Sequence, residues 1–389
     1  MSVNGKVIAG YFCAWGIYAR NYNVSDIDAQ KLTHILYAFA NVNPDGEVFL
    51  TDKWADIEKH YEDDSWNDPG TNLYGNFKRL SLLKKNNRHV KVSLSIGGWT
   101  FSANFSAVAA DPSKRQRFVS TAMELLNNLG LDGLDIDWEY PKDNTDAQNY
   151  VALLHDLRCA LDQYAESKGE GNRRYLLTTA MPCGESQYSF LKLSEMNQYL
   201  DLFYLMAYDF NGSWSGTCGH QANLRGSEMG VEKAINFYIS AGIPSHKLVV
   251  GLPMYGRAFQ NTDGLNCPYQ GVGEGSWEAG VYDYKALPLP GAQEYYDEQA
   301  LAIYSYDQQK REFVTYDNPY MVMQKCQHIN QRNLGGVMFW ELSADHPTHQ
   351  ARSLLKSAFE CLGGAPCIDQ SENHISFPNS CYDNVRNGF

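Results

Sequence analysis

The chain has 389 residues, enough for two ordinary domains or for one large α/β barrel with insertions. Lys and Arg number 32 against 45 Asp and Glu, and the net charge of −13 repels phosphate backbones and anionic lipid, which argues against nucleic acid and membrane surfaces as partners. The 26 Tyr, 17 Phe and 8 Trp suit a large core and, equally, the flat faces of neutral sugars.

The first apolar run, Val7-Ile8-Ala9-Gly10-Tyr11-Phe12, reads as a structural strand rather than a signal peptide, because a basic region and a small-residue cleavage site are missing. Seven more runs follow, at 33–42, 89–96, 131–138, 175–181, 200–208, 247–255 and 335–342. All are apolar on both faces, as parallel strands are when helices cover one side and a barrel interior fills the other. Helical patterns lie between them at 113–129, 146–164, 231–241, 320–331 and 349–361, and no run approaches the roughly 18 apolar residues that span a bilayer. The alternation predicts an α/β fold, a (β/α)8 TIM barrel over residues 1–362.

Two stretches interrupt the alternation. One insertion, 43–76, follows strand two. The other, 256–316, is too long for a βα loop and predicts a small inserted α+β subdomain after strand seven, centred on 264–311. Residues 363–389 read as an irregular tail packed on the barrel. Of nine cysteines, Cys13, Cys159, Cys183, Cys218, Cys267 and Cys326 are scattered without zinc-type spacing, so no disulfide framework is indicated. Cys361, Cys367 and Cys381 could pair if the protein is exported or stay as free thiols.

Strand four carries the chemistry. Asp132, Asp135, Asp137 and Glu139 lie within eight residues, and side-chain alternation puts the last three on one face with Leu134, Ile136 and Trp138 on the other. Three acids in a barrel interior cannot all ionise, so their protons are shared. Glu139, outermost and near the strand end, is best placed to stay protonated and donate to a leaving oxygen. A metal site or a structural network is the alternative, though Trp138, Tyr140 and Pro141 surround the acids and no His is near in sequence. Asp132 has the wrong parity to join the row and is expected to hold neighbouring backbone. Asp137 flanks Glu139 on the same side, whereas the nucleophile of an ordinary retaining glycosidase sits across the sugar ring, about 5 Å from the acid. Unless another strand supplies a nucleophile, the substrate must bring its own, and a 2-acetamido carbonyl is the obvious candidate.

The run DGLDIDWEYP from Asp132 to Pro141 resembles the DxxDxDxE signature of glycoside hydrolase family 18. Ser93-Leu94-Ser95-Ile96-Gly97-Gly98-Trp99 is similar to its strand-three SxGG motif, Met206-Ala207-Tyr208-Asp209 to its MxYD, Tyr255-Gly256-Arg257 to its YGR, and 335–340 to its strand-eight end. The tail from Phe377 to Asn384 resembles fungal chitinases in particular. The resemblance implies that Glu139 is acid and later base, that Asp137 holds the acetamido N–H, and that Asp135 shares the proton of Asp137. It further implies that Tyr208 orients the acetamido carbonyl. Tyr11, Phe39, Trp99, Met206, Asp209, Trp214, Tyr255, Arg257 and Trp340 would bind substrate, Trp340 as the hydrophobic floor, although Asp209 and Arg257 could simply pair as a salt bridge. The 264–311 subdomain would form one wall of a rather open, endo-acting groove.

The implied partners are chitin and N-acetylglucosamine oligosaccharides, acted on by a monomer without cofactor or metal. Two alternatives share the barrel: an endo-β-N-acetylglucosaminidase of N-glycans, and a chitin-binding lectin, which usually lacks the acid. Location stays open. The resemblance points outside the cell, where the sequons at Asn23, Asn104 and Asn211 would matter, while the N-terminus carries no export signal and allows an intracellular form.

Overall fold

The computed structural model describes residues 5–226 and 228–389. Eight strands of a nine-stranded sheet form the ring, β1 (Val7–Cys13), β2 (His34–Val42), β3 (Lys91–Gly97), β4 (Gly133–Asp137), β5 (Leu176–Met181), β6 (Leu202–Leu205), β7 (Leu248–Pro253) and β8 (Gly336–Trp340), while the ninth, Val48–Leu50, pairs antiparallel with β2 outside it. Their order is β1-β8-β7-β6-β5-β4-β3-β2, and pairing of β1 with β2 closes the ring. The ladders β1–β8, β8–β7, β2–β3, β3–β4 and β4–β5 are parallel. Every residue of β1, β3, β4 and β7 is buried, as the two-sided apolar runs require. The fold is the expected (β/α)8 barrel.

Local signals explain where some helices begin and end. At Pro112–Leu129 the Asp111 side chain accepts the Ser113 and Lys114 N–H groups at 2.8 and 3.2 Å, Pro112 opens the first turn, and Gly130 at φ +71° closes the last. The helix expected from residue 349 starts only at Leu354. Ser353 caps it, accepting the Lys356 N–H at 3.1 Å, and Asp345 upstream accepts the Leu354 and Leu355 N–H groups and the Ser353 hydroxyl, at 2.9, 3.0 and 2.9 Å. The run 200–208 yields only the short β6, because the chain leaves the strand after Leu205 and Asp209 takes a left-handed conformation, φ +59°.

Between Tyr255 and Tyr316 the chain forms a five-stranded antiparallel sheet in the order Val281–Asp283, Tyr255–Phe259, Glu312–Tyr316, Ala302–Asp307, Gln293–Asp297. Among the described residues the only helical piece there is the 3-10 turn Tyr284–Ala286, so the α part of the expected α+β insertion is not found. The runs QEYYD, AIYSYD and EFVTY, rich in aromatic and β-branched residues and joined by short turns, favour a meander. Phe259 and Phe313 pack with Cys218 at its centre, flanked by Tyr269, Tyr304 and Tyr306.

The chain packs as two compact units. One comprises residues 5–10, Pro182–Ser186 and Tyr204–Ile368; the other comprises Tyr11–Met181, Gln187–Phe203 and Asp369–Phe389. Within the second, the tail is stitched down. The Asn373 amide donates to the carbonyls of Lys84, Asn87 and Val90 at 3.0, 3.2 and 2.7 Å, and the His374 ring stacks on Tyr175 at 3.8 Å. Asp132 holds backbone, as its parity suggests: it accepts the Val92 and His374 N–H groups, each at 2.7 Å, and pairs with buried Lys84 at 2.8 Å. All nine cysteines are free thiols, and among the described residues no helix is long and apolar enough to cross a membrane.

Candidate active site

The two faces of β4 diverge as alternation demands. Trp138 turns towards the helices, its ring 5.5 Å from Phe105 and 5.1 Å from Tyr150. Asp135, on the other face, is fully buried. Its carboxylate accepts hydroxyls from three other strands: Tyr11 at 3.0 Å, Ser95 at 2.7 Å and Thr178 at 2.7 Å. Register explains the grouping, since Ser95 lies beside Asp135 in the β3–β4 ladder and Asp135 beside Thr178 in the β4–β5 ladder. Burial raises the Asp135 pKa, and the three hydroxyl donors oppose that rise.

Asp137, one alternation further on, is also buried, and its Oδ1 has no hydrogen-bond partner among the described residues. Burial pushes its carboxyl well above the usual carboxylate range, and the charges of Glu139 and Asp135 push the same way. Glu139 lies two residues beyond the end of β4, half-buried, with its N–H donating to the Ser102 hydroxyl at 2.8 Å.

The double glycine after β3 makes room for this corner. Both residues have positive φ, +115° at Gly97 and +80° at Gly98. A β-carbon on Gly97 would lie 2.2 Å from the Asp137 carbonyl oxygen, and one on Gly98 would lie 2.7 Å from the Phe39 ring. Phe39 in turn sits 6.2 Å from Tyr11 and 6.3 Å from Trp15 between ring centres. Trp99 opens the next turn and is 77% exposed, a bare indole face beside the acids' loop.

The other unit holds the second set of expected residues. The Tyr208 hydroxyl is directed at Met338 Sδ, 3.9 Å away, and a β-carbon at Gly251 would come within 2.8 Å of the Tyr208 ring. Asp209 Oδ1 accepts both the Tyr255 hydroxyl at 2.6 Å and Arg257 Nε at 2.7 Å, so the salt bridge weighed as an alternative to sugar binding is present. The Arg257 guanidinium also covers the Trp214 ring at 4.7 Å, leaving that indole 60% exposed. Met206 is half-buried just past β6, and half-buried Trp340 ends β8, its carbonyl accepting the Met254 N–H at 2.8 Å.

A model of the glycosyl hydrolases family 18 matches residues 7–345. The chain belongs to this family. Chitinase 1 of Aphanocladium album is 45% identical over 99% of this chain and 91% of its own length. Endochitinase 1 of Metarhizium robertsii is 45% identical over 98% and 90% respectively. Among solved structures, the catalytic domain of psychrophilic chitinase B from Arthrobacter TAD20 superposes with a TM-score of 0.86 at 30% identity, covering 96% of this chain and 98% of that one. This family 18 protein is a glycosidase.

Sequence reasoning passed over Thr178, Ser102 and Gly251 of this family 18 site, and placed Ser95 in a motif without giving it a role. Ser95 and Thr178 hold Asp135, Ser102 holds the backbone of Glu139, and Gly251 leaves space for the Tyr208 ring. Thr178 shares its strand with Thr179 and Ser95 shares its strand with Lys91 and Ser93, so polarity alone did not mark out the pair that meets Asp135. No pattern marked Ser102 or Gly251.

Proposed function

We propose that this protein is a chitinase, hydrolysing β-1,4 bonds between N-acetylglucosamine units with retention and with the substrate's 2-acetamido group as nucleophile. Glu139 protonates the leaving oxygen and then activates water. Asp137 holds the acetamido N–H, Asp135 carries the shared proton beneath it, and Tyr208 donates to the acetamido carbonyl. In a barrel enzyme these groups act from the C-terminal ends of their strands. Trp340 floors the distorted sugar, Trp99 and Trp214 offer stacking faces, and Tyr11, Phe39, Met206, Asp209, Tyr255 and Arg257 line the remainder. The inserted subdomain serves as one wall of an open, endo-acting groove, and the chain acts as a monomer.

The observation that carries this reading is the state of Asp137. It is buried, its carboxyl is pushed upward by burial and by the charges of Glu139 and Asp135, and its Oδ1 has no partner among the described residues, which makes it a poor attacking carboxylate and suits it to an acetamido N–H. The test is a timed product profile on chitin hexamer, followed by NMR, for wild type and Glu139→Gln side by side. Wild type should release β-anomeric oligomers first. Glu139→Gln should bind hexamer normally and lose turnover by about 100- to 10,000-fold. First-formed α anomer, or near-normal turnover in the variant, would overturn the assignment.

A further inference from the structure

We infer that Ser102 is a positioning residue for the proton donor, its hydroxyl fixing the backbone at Glu139 and with it the carboxyl. This rests on the reading of Glu139 as acid and base given above. The ladders that hold β4 run out before the acid is reached: pairing with β5 ends at Ile136, and pairing with β3 ends at Asp137. One further main-chain bond is made, from Gly98 N–H to the Asp137 carbonyl at 2.8 Å. Beyond it, β3 has turned away into the 3-10 turn Trp99–Phe101.

Ser102 stands in for the missing rung. Its Oγ accepts the Glu139 N–H at 2.8 Å and donates to the Gly98 carbonyl at 2.9 Å, with the Asp137 carbonyl 3.3 Å away. Only a hydroxyl can donate and accept at once from a side chain this short. Ser102 is 8% exposed, so the bond is largely sheltered from competing water. The residue also follows directly on the turn that displays Trp99, a turn closed by Phe101 N–H to the Gly98 carbonyl at 3.1 Å. One oxygen therefore ties the indole face proposed to stack a sugar to the backbone of the group proposed to protonate the adjoining bond.

The experiment compares kcat/KM on two substrates with different need for a proton donor, chitin hexamer and the 2,4-dinitrophenyl glycoside of N,N′-diacetylchitobiose, whose phenolate departs without protonation. Ser102→Ala should lose about 10- to 100-fold on the hexamer through kcat, with KM within about threefold, and lose less than about threefold on the activated glycoside. Ser102→Thr keeps the hydroxyl and should restore the hexamer rate. Because both substrates are read on one preparation, partial misfolding lowers both rates together and leaves their ratio unchanged. Equal losses on the two substrates, no loss on either, or a Thr variant as poor as the Ala variant would overturn the inference. Glu139→Gln run in parallel separates the two claims: if it is inactive on hexamer while Ser102→Ala is normal, only the positioning role falls, and if it stays active, the assignment of the acid falls first.

Discussion

Arg257 meets two demands with one guanidinium. Its Nε is bonded to Asp209 at 2.7 Å while its plane supports Trp214 at 4.7 Å, and only a flat, delocalised cation can do both. Arg257→Lys should therefore loosen the exposed indole without touching the acids, raising KM for chitin hexamer about tenfold with kcat within about threefold. Steady-state kinetics would show this, and a fall in kcat at constant KM would instead place Arg257 in the transition state. At this scale the row Asp135, Asp137, Glu139 was legible because alternation along a strand is a local property. That Ser95 and Thr178 meet Asp135 was not legible, because register between strands depends on how separate segments align.

Among the elements, the insertion after β2 carries its own anchor. Asp56, buried in the π-helical turn Trp54–Glu58, accepts the Tyr37 hydroxyl of β2, which is itself held by the Asn76 amide at 3.0 Å. Burial pushes the Asp56 carboxyl up to about 7. The folded state thus binds the proton more tightly than the unfolded chain, and stability falls as pH rises from about 4 to about 7, by an amount of order 4 kcal/mol. Asp56→Asn keeps an acceptor for Tyr37 and removes the titration. Urea unfolding at pH 4.5 and 7.5 should show a shallower decline for the variant, and parallel declines would refute the burial argument. Elements of this kind show how far sequence patterns reach. Pro112–Leu129 announces itself through Asp111, Pro112 and Gly130, whereas the start of Leu354–Cys361 is held by Asp345 as well as by its Ser353 cap, and Asp345 lies outside the helix's own periodic pattern.

Over the whole molecule, the tail is part of the fold rather than an appendage. The Asn373 side chain, fully buried, serves three carbonyls at the end of Gly75–Asn86 and before β3, and its own oxygen accepts Arg88 Nε at 2.8 Å. Asn373→Ala should cost about 2–4 kcal/mol, since buried carbonyls lose their donor, and the urea midpoint would report it; a change under about 0.5 kcal/mol would mean the tail is held by its other contacts. The amino-acid sequence by itself determined the barrel class, the acids on strand four and the family, because alternation, strand spacing and the DGLDIDWEYP run are local patterns that survive without coordinates. The tertiary structure alone decided the rest: the hydroxyl cage around Asp135, the Asp209–Arg257–Trp214 assembly, the five-stranded sheet of the insertion, and the hold of Ser102 on Glu139. Each of these is a contact between segments distant along the chain or a bond past the end of a ladder, and such contacts are specified by packing and register rather than by the order of residues in any one segment.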